Sequence, residues 1–151
     1  MSESWRTRLA RLAFNLFPAY RGTGGRVTHV ESDWSEIRVK LPHSWRTRNY
    51  MGTIFGGSIY GAVDPMHAML LIKRLGDDYE VWDKSASVEY KRPAETTLYA
   101  TCEMPDAEVE AVREALETQA SVERAYTIDL TDAAGEVYAT VENVVHVSTA
   151  T

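Results

Sequence analysis

The chain has 151 residues, 25% charged and 44% hydrophobic, with a formal net charge of −6. That length accommodates one domain with a real core, the ordinary composition excludes pervasive disorder, and the acidic balance excludes a general nucleic-acid binder, which would carry a basic footprint. The single cysteine, Cys102, excludes an internal disulfide and any cysteine-built zinc site. Its neighbours, Thr97-Leu-Tyr-Ala-Thr-Cys-Glu103, read as a strand, so it is expected to be a small buried hydrophobe rather than a nucleophile. The first residues lack the basic-then-apolar layout of a signal peptide, and a cytoplasmic location is the expectation that follows.

In chain order, residues 5–17 place Trp5, Leu9, Leu12 and Leu16 on one face of a helix, which Pro18 ends. Arg6, Arg8 and Arg11 lie mostly off that face. Residues 1–26 hold five arginines and one glutamate, a net of +4 against −10 for the remainder. The helix is expected to dock on its own acidic domain; the alternative is a membrane surface or an acidic partner. Arg21-Gly-Thr-Gly-Gly25 is a turn, since it lacks the endings and spacing of phosphate-binding loops. Residues 26–31 and 34–41 read as an antiparallel pair with Ile37, Val39 and Leu41 inward, closed by Pro42. Strands follow over 81–92 and 96–104. Residues 105–119 form a helix with Val109, Val112 and Leu116 on one face, and proline and acidic residues at its start. Strands over 120–131 and 136–148 are joined by Asp132-Ala-Ala-Gly135. The order predicts an α+β fold on one mostly antiparallel sheet, with residues 1–20 an N-terminal amphipathic helix and 21–151 a single domain.

Residues 49–72 are the stretch around which the rest is organised. Gly52, Gly56, Gly57 and Gly61 would each cost a helix interior about 0.8–1 kcal/mol relative to alanine. Something must therefore approach the backbone closely, either another segment or a ligand. Residues 54–72 are apolar nearly all round, which predicts a buried helix. Its length raises a membrane-spanning reading, but Asp64-Pro65, His67 and the glycines argue against it. One buried helix and six strands imply a sheet curled around one long central helix.

The pattern Asn49-x2-Gly52-x2-Phe55-Gly56-Gly57-x6-Asp64 resembles the helix-entry motif of hotdog-fold thioesterases of the phenylacetyl-CoA thioesterase-like group. That motif reads Asn-x2-Gly-x2-His-Gly-Gly, with an Asp seven residues after the second glycine. Tyr90-Lys-Arg-Pro-Ala94 also resembles the family's strand ending in Arg-Pro, and the element order agrees over residues 22–148. A hotdog branch catalogued only as a domain of unknown function, in which the histidine is likewise absent, is closer still. The resemblance implies a hotdog fold with an extra N-terminal helix, and hydrolysis of an acyl thioester by water. Gly57 N–H would polarise the thioester carbonyl at the helix N-terminus, Asn49 would hold the carbonyl or the water, and Asp64 would be general base or nucleophile. Gly56 and Phe55 would border the acyl group, Asp83 would position the water, and Arg92 would meet the phosphates of coenzyme A. Gly57 and Asp64 lie about 10 Å apart on one helix. The family answers that distance with a dimer in which the Asp serves the partner's site, so a homodimer, or a dimer of dimers, is expected. Coenzyme A enters only as part of the substrate, and no metal or other cofactor is expected.

Two residues depart from the pattern. Phe55 replaces the motif histidine. Pro65 disfavours helical geometry at Asp64, and Asp followed by Pro is also a helix start, with Asp64 as a capping residue. Other readings of this fold are a non-catalytic acyl or apolar ligand-binding protein, and an enoyl-CoA hydratase or dehydratase using Asp64 with His67. His29, His43 and His146 show no metal-ligand spacing.

Overall fold

A computed structural model describes residues 2–150. Helices α1 (Trp5–Leu16) and α2 (Pro18–Arg21) precede strands β1 (Arg26–Val30) and β2 (Glu36–Leu41). Helices α3 (Gly56–Val63) and α4 (Met66–Leu75) follow, then β3 (Tyr79–Tyr90), β4 (Leu98–Glu103), α5 (Asp106–Thr118), β5 (Ser121–Thr131) and β6 (Val137–Thr149). The strands form one antiparallel sheet in the order β1-β2-β4-β5-β6-β3. Helix α4 packs against β2, β4 and β3, although β3 closes the far edge of the sheet. The sheet must curl to meet it on both sides, so the architecture is α+β and hotdog, as the motif implied.

Period-two patterning explains the core. Ile37, Val39 and Leu41 of β2, Leu98, Ala100 and Cys102 of β4, and Ala139, Val141, Val145 and Val147 of β6 are buried, and Met66, Leu70 and Leu71 of the helix press into them. Burial pushes the Cys102 thiol up to about 12, which fits an inert core residue.

The predicted single helix is two. Pro65 has no N–H to donate to Gly61, and its backbone (φ −85, ψ −1) separates α3 from α4. Asp64 nevertheless stays helical (φ −45, ψ −55), its N–H donating to the Tyr60 carbonyl at 2.9 Å. Contrary to the capping alternative, no side chain caps α4. The Asp64 carboxylate is left for other partners.

Strand β3 carries a bulge. Asp83 pairs with Val145 and Ser85 with Val144, so Lys84 is the extra residue and the strand's alternation changes phase there. Tyr79, Val81 and Asp83 face the helix before the bulge, and Ala86, Val88 and Tyr90 after it, opposite Asn143, Val141 and Ala139. Without the bulge, Asp83 and Tyr90, seven residues apart, would point to opposite faces.

Helix α1 docks by a face other than the one expected. Trp5, Leu9, Leu12 and Leu16 are 68%, 56%, 47% and 66% exposed. The docked side joins Phe14, edge-on against Tyr20, to a set of polar side chains. Asn15 clamps the backbone of Val27, Nδ2 donating to its carbonyl at 2.9 Å and Oδ1 accepting its N–H at 2.7 Å. Glu3 accepts from Val30 N–H at 3.1 Å and from Arg11 Nε at 2.7 Å. These side chains satisfy backbone groups on the free edge of β1, where a neighbouring strand would otherwise pair.

Candidate active site

Asp64 sits where α3 gives way to α4. Tyr60, one turn earlier, donates its hydroxyl to Asp64 Oδ1 at 2.7 Å. The bulge in β3 brings Asp83 to the same place. Burial, then the charge of Asp64 and a hydrogen bond with it, raise the Asp83 carboxyl to about 6. Its Oδ1 is buried and has no partner. The like charge of Asp64 beside it disfavours the charged form of Asp83. Burial, then the bond to Asp64, push the Tyr60 phenol upward. Beneath them Asn143, fully buried, donates to the Asp64 main-chain carbonyl at 3.4 Å, its own Oδ1 unpaired. The Asp64 side of the cluster opens on a largely apolar cavity of about 600 Å³, bordered by Gly61, Pro65 and Met69.

The other half of the motif forms the start of α3. Phe55 takes the N-cap position in extended geometry, with no side-chain cap, and its carbonyl accepts from Ser58 and Ile59. Among the described residues, neither the Gly56 nor the Gly57 amide has a protein acceptor. The helix therefore presents two free donors at the positive end of its dipole. The glycines are close approaches. A Cβ on Gly57 would lie 2.5 Å from the Phe55 ring, and one on Gly56 would lie 3.0 Å from the Tyr90 hydroxyl, which donates to the Gly56 carbonyl at 3.2 Å. Phe55 is itself 57% exposed, so its ring leans over Gly57 without being locked there.

Asn49 is occupied in its own turn: Oδ1 accepts from Met51 and Thr53 N–H, and Nδ2 donates to Thr53 Oγ1 at 2.9 Å. Ile54 and Phe55 then anchor the loop by donating to the carbonyls of Ala94 and Thr47. Arg92 lines a groove of about 370 Å³ with Gly56, Tyr90 and Lys91, but its guanidinium pairs with Glu136 at 2.5 Å and lies over the Tyr138 ring. The Asp64 and Gly56 cavities are lined by different residues.

His67 faces away from this chemistry. Its ring stacks on Tyr126 at 4.7 Å, and burial lowers it to about 4, offset in part by a hydrogen bond to the backbone at Glu103. It is a core residue, not the partner of Asp64 that a hydratase would need. His29, Glu31 and Glu36 place ligand-type atoms within 4.8 Å of one another on the β1–β2 hairpin, a grouping that histidine spacing alone does not reveal. Within it, His29 already bonds Glu31 and Arg38 bonds Glu36.

Sequence reasoning also missed Tyr60 and Asn143. Asn143 had a signal: it is the one polar side chain at an inward position between Val141 and Val145 of an alternating strand. Tyr60 had a weaker one, the i,i+4 spacing to Asp64.

The model of a family described as a domain of unknown function, DUF4442, matches residues 6–147, and the chain belongs to that family. Among curated proteins no sequence matches it. The fold is similar to that of a Pseudomonas aeruginosa protein of unknown function described as a probable thioesterase (TM-score 0.83, 18% identity, covering 99% of this chain and 100% of that one). It is also similar to a Chlorobaculum tepidum protein of unknown function (TM-score 0.77, 13% identity, 96% and 95% covered) and a Haemophilus influenzae thioesterase (TM-score 0.70, 11% identity, 98% and 94% covered). At these identities the likeness defines a thioesterase-like hotdog fold. No helix among the described residues is long and apolar enough to cross a membrane.

Proposed function

We propose that the protein hydrolyses acyl thioesters, coenzyme A thioesters in the first instance, as a homodimer. The observation that carries this reading is the carboxyl pair: Asp64, freed from capping duty, meets Asp83 and Tyr60 at the edge of an apolar cavity. In the reaction, a water oxygen bonds to the thioester carbonyl carbon while the Asp64–Asp83 pair takes the water proton. The carbonyl oxygen, gaining negative charge, is held by the Gly57 amide of the second subunit. The C–S bond then breaks, and the thiolate leaves with a proton returned from the pair. Asn49 acts as a positioning residue by holding the loop that presents Phe55 and Gly57, and Arg92 with Lys91 borders the groove leading to Gly56.

A dimer suits the open edge of the sheet. Among the described residues β3 pairs only with β6, which leaves twelve residues of edge free. Ala86 faces inward yet is exposed, so the space beside Asp83 is not filled by the chain itself.

The test is free-thiol release from short, medium, long and aryl acyl-CoAs. Turnover on at least one, reduced about 100-fold or more by Asp64→Asn, is expected for loss of a general base. No release from any substrate, or an Asp64→Asn variant as fast as wild type, would refute the proposal. A second reading, acyl binding without turnover, rests on the Phe55 ring leaning over Gly57. Saturable acyl-CoA binding with no thiol release would favour it.

A further inference from the structure

Three faces divide helix α1. Thr7, Arg11 and Asn15 face β1, and the leucine stripe faces out. Ala10, Ala13, Phe14 and Phe17, at helical spacing, face Gly61, Asp64 and Met69 across the cavity of about 600 Å³. The small side chains of Ala10 and Ala13 leave the room. On the central helix, Gly61 lets Thr23 approach to 2.7 Å of a would-be Cβ, closing the wall below α2.

Trp34 supplies another wall at a cost. It is the only non-glycine among the described residues with positive φ, at 60°, an uncommon conformation that a bulky residue keeps only when its surroundings hold it. Its N–H donates to the Glu31 carbonyl, and Lys73 lies over its ring at 5.3 Å. The strained turn thus delivers an indole to the same cavity as α1.

We infer that this cavity is the seat of the apolar acyl chain, with α1 and α2 as the elements that build the seat and Asp64 at the reactive end. The inference rests on the hydrolase reading and gives it a substrate class: thioesters of long apolar acyl chains. The volume lies within the range of about 300–1,000 Å³ typical of small-molecule sites. The lining has one carboxylate, Asp64, and one ammonium, Lys73, which is already engaged with Trp34. A purely apolar chain therefore leaves no charged group buried and unpaired along the aromatic and alanine walls.

Ala13→Trp tests it from the α1 side and Met69→Trp from the central helix, both on unfractionated full-length protein. For either variant, kcat/KM on dodecanoyl-CoA is expected to fall about tenfold or more while that on acetyl-CoA stays within about twofold. Calorimetric titration with dodecanoate, the product, is expected to show saturable binding to wild type, weakened about tenfold or more in both variants, whether or not turnover is seen. Turnover with an unchanged long-to-short ratio, or dodecanoate affinity that is absent or equal in all three proteins, would overturn the seat and leave the hydrolase reading standing. So would an altered oligomeric mass with unchanged dodecanoate affinity, which would assign the cavity to a segment of a second copy. If no thioester is cleaved but dodecanoate binding follows the prediction, the hydrolase reading alone falls.

Discussion

Burial moves Asp83 and His67 in opposite directions, and the two groups give the protein a pH dependence that can be separated. Asp83 is raised to about 6, above its ordinary range, so its unfolded form loses the proton first. Its contribution to stability is present below about 4 and lost as pH rises through 6. His67 is lowered to about 4 from 6.5, so the unfolded state takes up a proton that the folded ring refuses. Its contribution is complete above 6.5 and lost as pH falls toward 4, by about 2 kcal/mol between pH 7 and pH 5. His67→Phe, which keeps the stack on Tyr126, is expected to lose less Tm than wild type over that interval, by about 4–8 °C. Parallel Tm curves would contradict the buried-histidine account. The proposed reaction uses Asp83 as well. In the proposed reaction Asp83 must be ionised to take the water proton, so kcat/KM is expected to rise with pH through about 6 to a plateau. In Asp83→Asn that limb is expected to be lost. A limb that persists would remove Asp83 from the pair.

At the scale of elements, the strands and α5 were legible because each buries one face and exposes the other: Ile37, Val39 and Leu41, or Val109, Val112 and Leu116, can be read by period alone. The break at Pro65 had a local signal, the missing N–H, although residues 54–72 were read as one helix. Three features were not legible. The bulge at Lys84 falls where a regular alternation, Tyr79, Val81 and Asp83 inward, gives way to a run exposed from Lys84 to Ser87, so the change of phase has little to mark it. The Asp64–Asp83 pair joins residues 19 apart across two elements, which spacing along a helix cannot reveal. Helix α1 misled because its most apolar stripe is not the docked one. Its attachment is Asn15 and Glu3 serving the edge of β1. Asn15→Ala should leave the Val27 N–H and carbonyl without these partners and cost about 1–3 kcal/mol. The corresponding fall is about 2–10 °C in Tm. A Tm unchanged within a degree would mean that α1 is held by something else.

At the scale of the whole molecule, the proposed function divides the site into two halves that the geometry of one chain keeps apart. The free amides of Gly56 and Gly57 stand at the start of α3, and the carboxyl pair stands at its end, about two helical turns away. The motif that places both on one helix was plain in the sequence. In the proposed homodimer the two come from different chains, and the open edge of β3 is where the second would join. Co-refolding two inactive variants tests this most directly. Asp64→Asn removes the carboxylate, and Gly57→Pro, made together with Phe55→Ala so that the added carbons do not meet the Phe55 ring, removes the N–H. Each alone is expected to lose about 100-fold or more of the thiol-releasing activity. Refolded together they should form mixed dimers carrying one intact site and regain a substantial part of it. A mixture as inactive as its parents, beside an active wild type, would contradict the shared site.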